Sequence, residues 1–214
     1  MLREIVTNEW YTILIVVSLC ILAFTKYTYA NRFSDFLSLV GNSKYLKIYA
    51  RDQKFIDQFD SLLFINLVVS LSIFTFLSYK TLVSPIDFEI MSFLKLLIGV
   101  AALMLIKILL ERLIGSLFEI DQLIDAYLFQ KTNYKNFIGV ILLPINVLLI
   151  YSLNPKPIVF YVIFSLIFII ISIGFITSLK THQKTIIGNI FYFILYLCAL
   201  EIAPYVILYK LFIE

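Results

Sequence analysis

The chain is poor in the residues that usually mark an active site. Of its 214 residues, one is histidine and two are cysteine. His182 is therefore the single possible base for a Ser-His-acid triad, and nothing marks a serine to go with it. An ordinary Cys/His zinc site has too few ligands here. There is no H-E-x-x-H, no Walker loop and no G-x-G-x-x-G. No cofactor and no metal are expected. Charge is scarce as well, at 14% of residues with a net +3. No basic run of the kind that binds nucleic acid occurs. Cys20 and Cys198 both lie in apolar stretches, where a thiol reads as a small buried hydrophobe rather than a disulfide partner.

What the chain has in excess is apolar surface. Hydrophobic residues make up 62% of it, including 20 Phe and 14 Tyr, and the mean hydropathy is +0.99. A soluble domain is roughly 45–50% apolar and about 25% charged. A water-soluble core of this length has no room for the difference, so the solvent must be a bilayer. The expected partners are membrane lipids and other proteins of an envelope complex, and no nucleic acid.

A helix needs about 20 mainly apolar residues to cross the hydrocarbon core. Six segments qualify, near 10–27, 61–79, 91–110, 136–153, 157–178 and 186–209. The first is expected to be retained, because its leading segment MLREIVTNE has one basic and two acidic side chains and no small-residue cleavage site follows. The fourth and fifth are joined by NPKP, a turn signature, and should form an antiparallel hairpin. The expected fold is all-α, a single membrane domain of about six transmembrane helices.

Basic residues set the expected orientation. Lys26, Arg32, Lys44, Lys47, Arg51, Lys54, Arg112, Lys131, Lys135, Lys180 and Lys184 follow spans one, three and five. Only Arg3, Lys80, Lys156 and Lys210 fall on the other side. This eleven-to-four bias puts both termini outside the cytoplasm. Two inner loops read as interfacial amphipathic helices. In 28–58, Phe33, Phe36, Leu37 and Val40 recur at helical spacing and can lie at the headgroup level. In 113–130, Leu113, Leu117, Ile120, Ile124 and Tyr127 form a second stripe, the alternative being an extension of span three into the cytoplasm.

Ionisable and polar groups inside the spans are the candidate site. Glu201 lies past the middle of span six, and Pro204 deprives the Leu200 carbonyl of its usual donor. Such a carboxylate can bind a cation or carry a proton, or hold helices together as an ion pair or a neutral acid. Lys95 in span three is its expected partner, because a rise of about 1.5 Å per residue puts the two at similar depths on the outer side. Lys107 can snorkel or pair with Glu111. Asn66 in span two and Asn146 in span four read as interhelical hydrogen-bonding groups or, with the helix break expected at Pro144, as part of a transport path. Gly99 and Ala102 read as a close-approach face on span three.

Glu119, Asp121 and Asp125 form a weak acidic cluster. Asp121 and Asp125 make D-x-x-x-D, as in the Asp-rich motifs by which membrane prenyltransferases hold magnesium diphosphate. The matching second motif is missing, since Asp52, Asp57 and Asp60 have the wrong spacing. The alternative is a solvated helix face.

The closing segment FYFILYLCALEIAPYVILYK, with GVILLPINVLL before it, resembles an uncharacterised family of bacterial polytopic membrane proteins. Its members share a domain of unknown function that covers nearly the whole chain. The family's Leu-Glu-Ile-x-Pro closing span falls here on Leu200, Glu201, Ile202 and Pro204, and Pro144 and Asn146 fit its LLPIN element. The resemblance implies a protein of the bacterial inner membrane and supplies no activity. Three functions stay open on the sequence: a non-catalytic scaffold or accessory subunit, a small ion-coupled transporter using Glu201, and a lipid-modifying enzyme.

Overall fold

Long apolar runs, interrupted by short polar connections, fold into helices because only a helix satisfies every backbone group within its own segment in lipid. The computed structural model describes residues 9–39, 44–49, 57–84, 88–118, 120–151 and 156–181. These form α1 (Glu9–Thr28), α2 (Ala30–Leu37), α3 (Lys44–Tyr49), α4 (Gln58–Leu82), α5 (Ile90–Leu117), α6 (Asp121–Tyr151) and α7 (Pro157–Thr181). Five of them, α1, α4, α5, α6 and α7, are long and apolar enough to span a membrane. The expected sixth span, with Glu201, Pro204 and Cys198, lies outside the described residues.

Local signals set several boundaries. Asp57 caps α4, its side chain accepting from the Phe59 amide at 3.2 Å. Pro157 opens α7, where a missing N–H is harmless. Pro144 does not break its helix: α6 runs through it to Tyr151, with the proline exposed on the surface. Neighbouring packing holds a membrane helix together past a proline.

The pair α4 and α6 forms the centre of the bundle and makes its most extensive contact. They run parallel, since Asn136 reaches the Asp60 carbonyl at one end and Asn146 the Ser70 carbonyl further along. Gly139 makes this possible. A Cβ there would sit 2.6 Å from the Leu67 Cα. Antiparallel to α4 lies α1, with Tyr11 beside Phe76 and Tyr29 beside Phe59. On the other side, α7 places Phe160 and Phe164 against Phe74. Among the described spans α5 is the least buried: its buried residues, Phe93, Glu111 and Gly115, are near its two ends.

Four expectations about packing need correction. The apolar stripe of 28–58 does not turn to lipid. Phe33 and Phe36 are buried, and Phe36 packs on Tyr45, Phe59 and Phe137. Leu37 alone of the described stripe is exposed; Val40 lies outside the described residues. Aromatic contacts between loop and bundle hold α2 and α3 under the ends of α4 and α6. The close approach expected at Gly99 is absent among the described residues, where a Cβ would meet nothing within 4 Å. Cys20 is exposed on α1 rather than buried. The second stripe, 113–130, is shared between two helices: Leu113 and Leu117 end α5 exposed, while Ile120, Ile124 and Tyr127 are buried where α6 begins.

Candidate functional site

Two groups of polar residues sit inside the bundle. The first lies where α2 and α3 meet the starts of α4 and the first turns of α6. Arg32 projects from α2 and pairs with Asp57 and, at 3.3 Å, with Asp60. Its guanidinium is 4.4 Å from the centre of the Phe59 ring and 5.0 Å from that of Tyr49. Planar charge, two acceptors and two aromatic faces suit arginine and would not suit lysine.

The network continues through Tyr45 of α3, whose hydroxyl donates to Asn133 Oδ1 at 3.1 Å. Asn133 Nδ2 in turn donates to the Phe129 carbonyl at 2.9 Å. Burial, and next the nearby Asp60 carboxylate, push the Tyr45 hydroxyl above the usual phenol range, so it stays a neutral donor. Burial works against the charge on Arg32, but Tyr45 and the two aspartates hold its pKa above the usual value. The Tyr49 hydroxyl reaches Asp35 at 3.4 Å and Tyr29 donates to Gln58 at 2.9 Å. The loop between spans one and two is thus tied to both central helices.

A second clasp joins α5 to α6 at the same end. Glu111, 1% exposed, pairs with Lys131 at 2.7 Å, and Arg112 meets Asp125 at 3.0 Å. Glu111 is thus engaged from the neighbouring helix. The acidic cluster is divided as well. Asp125 is held by Arg112, Asp121 is exposed, and Glu119 lies outside the described residues.

The other group lies near the middle of the spans. Asn146 is 1% exposed and donates to the Ser70 carbonyl at 2.8 Å. Asn66, one turn before Ser70, is fully buried, and both its amide atoms lack a hydrogen-bond partner. Asn146 thus lies at the interface of α4 with α6, and Asn66 is buried on α4 one turn before the carbonyl that Asn146 binds. Lys95 does not join them; it is exposed on α5. Glu201 and Pro204 fall outside the described residues.

Sequence reasoning missed Arg32, Tyr45 and Asn133, and considered Asp57 and Asp60 only as a defective metal motif. A signal was present. Gln130, Asn133 and Asn136 recur at three-residue spacing just before span four, an inward polar stripe that demands partners. All three are buried.

One family model, described as a domain of unknown function (DUF4271), matches residues 11–212 of the chain. No curated protein and no solved structure matches.

Proposed function

Since the chain belongs to the DUF4271 family, a family defined without an activity, we propose on structural grounds that this membrane protein is a non-catalytic scaffold or accessory subunit of a bacterial envelope complex. One observation carries this reading: the charged groups at the inner end are turned on one another. Arg32 is used by Asp57 and Asp60, Lys131 by Glu111, and Arg112 by Asp125. An enzyme acting on lipid diphosphates needs its acidic residues free to hold a metal, and Asp125 is already engaged.

Purification in native-lipid discs, followed by native mass spectrometry, tests the proposal. The expected result is a complex of fixed stoichiometry with at least one other membrane protein. A chain that purifies alone and drives ion flux or lipid turnover in liposomes would overturn it. The flux outcome would support the second reading, an ion-coupled transporter using Glu201.

The eleven-to-four basic bias supports an inner-membrane location with both termini outside the cytoplasm. A C-terminal alkaline phosphatase fusion should be active, and a C-terminal green fluorescent protein dark. The reverse pattern would invert the topology.

Lys95 stands on an exposed apolar face between Leu94 and Ile98. A charge facing lipid is unfavourable by about 3 kcal/mol on insertion scales at the centre of a span, and less towards its end. Glu201 of the closing segment is the proposed partner. Lys95→Glu should lower the melting temperature and the added Glu201→Lys should restore it. Additive losses would separate the two residues.

A further inference from the structure

Hydroxyl groups on membrane helices usually bond to the carbonyl four residues back. Here Thr25, Thr75, Ser78, Thr81 and Ser172 all do so, at 2.7–2.9 Å. Ser18 and Ser70 are 1% exposed and do not; each hydroxyl lacks a partner. Asn66 Oδ1, Asn66 Nδ2 and Asn146 Oδ1 are buried and unpartnered as well.

The atoms of Ser18, Asn66, Ser70 and Asn146 come from one level of the bundle, and the hydroxyls of Ser72 on α4 and Ser178 on α7 are buried and unpartnered besides. Asn66 and Ser70 are one turn apart on α4, and Asn146 is bonded to the Ser70 carbonyl. On α1, the pairings Tyr11 with Phe76 and Tyr29 with Phe59 set Ser18 opposite the turn that holds Val69 and Ser70. Ile15, one turn from Ser18, packs in the same cluster as Val69 and Ile73. Three helices thus bring four buried polar side chains to the middle of the membrane. Leaving one such group unsatisfied costs about 1–3 kcal/mol, so five unmet atoms at one level call for an occupant.

We propose that Ser18, Asn66, Ser70 and Asn146 enclose an internal water site between α1, α4 and α6. The chemistry selects water over an ion. The unmet atoms include both a donor, Asn66 Nδ2, and acceptors, Asn66 Oδ1 and Asn146 Oδ1, with two hydroxyls that can act either way. A cation would be repelled by the amide N–H, and an anion by the two amide oxygens. Among the described residues of these three helices, the nearest charged position in sequence is Asp60, roughly 9 Å from Asn66 along the axis. A neutral guest that both donates and accepts fits, and a buried water typically makes about three such bonds.

Radiolytic hydroxyl-radical labelling of the full chain in lipid nanodiscs, read by mass spectrometry, tests the site. Water bound there should label Leu67 and Val69 several-fold faster than Leu142, which is fully buried in the other apolar cluster of the bundle. Asn66→Leu should bring those rates down to that of Leu142 and lower the melting temperature; Ser18→Ala, a smaller change, should lower the rates in part. Wild-type rates equal to that of Leu142 would overturn the proposal, as would a higher melting temperature for Asn66→Leu, the mark of a dry site. Replacing sodium with choline should leave the labelling unchanged. A sodium-dependent pattern would mean a cation and would equally overturn it.

Discussion

Arg32→Leu should destabilise the purified protein by about 3 kcal/mol, because removing one partner of a desolvated ion pair leaves the other charge uncompensated. Arg32 serves two carboxylates at once, and its side chain is 16% exposed against 29% for Asp57 and 19% for Asp60. Without the guanidinium, two negative charges face each other beneath α2, and the Phe59 and Tyr49 rings lose the cation over their faces. Thermal unfolding in detergent, followed by fluorescence-detected size exclusion, measures the loss. Arg32→Lys should recover only part of it, since an ammonium cannot span both carboxylates with a planar fork. Adding Asp57→Asn and Asp60→Asn to Arg32→Leu should recover most of it. Asparagine at 57 keeps an oxygen for the Phe59 amide, so the cap of α4 survives the neutralisation. If Arg32→Leu unfolds at the wild-type temperature, the loop is not held by this pair.

Gly139→Ala should cost about 2 kcal/mol, the range typical of overpacking a core. The new methyl would lie 2.6 Å from the Leu67 Cα and 2.8 Å from its Cβ. The first of these is backbone and cannot swing aside, so α4 and α6 must separate. Separation stretches the bond from Asn146 to the Ser70 carbonyl and opens the most extensive helix contact of the bundle. Gly99→Ala is the control. A Cβ there meets nothing among the described residues, and the change should be much smaller. Equal losses at the two glycines, measured by the same unfolding assay, would mean that the approach of α4 and α6 does not depend on Gly139.

The two glycines also show where sequence reading reached its limit. A small residue in an apolar run signals a close approach only when a partner helix faces it, and helix rotation is not written in one chain. Gly99 and Gly139 are equivalent in composition and opposite in packing. Span centres were legible for the opposite reason, since a lipid-embedded length follows from hydropathy alone. Helix ends were not. Sequence put span four near 136–153, but α6 starts at Asp121 because Ile124 packs against Gly115 and Lys131 pairs with Glu111. Those contacts are tertiary, and hydropathy does not register them. Asn66 and Asn146 stood out because an amide in an apolar span is conspicuous wherever it faces. Arg32 did not, because a basic residue in an inner loop is what the charge rule leads one to expect, and its partners lie 25 and 28 residues away.

The parallel pairing of α4 with α6 has a consequence for biosynthesis. The ribosome makes α5 between them, and α5 is peripheral. When α4 leaves the insertion channel, the helix that Asn146 will bring against Ser70 does not yet exist. At about 5–20 residues per second, translation leaves that polar side waiting for seconds. Until α6 is made, α1 and α5 are the spans available to shield it, and α1 is antiparallel to α4 and already released. The nascent chain is therefore expected to assemble first around α1 and α4, with the loop helices at their base, and α6 to complete a seam left open during synthesis.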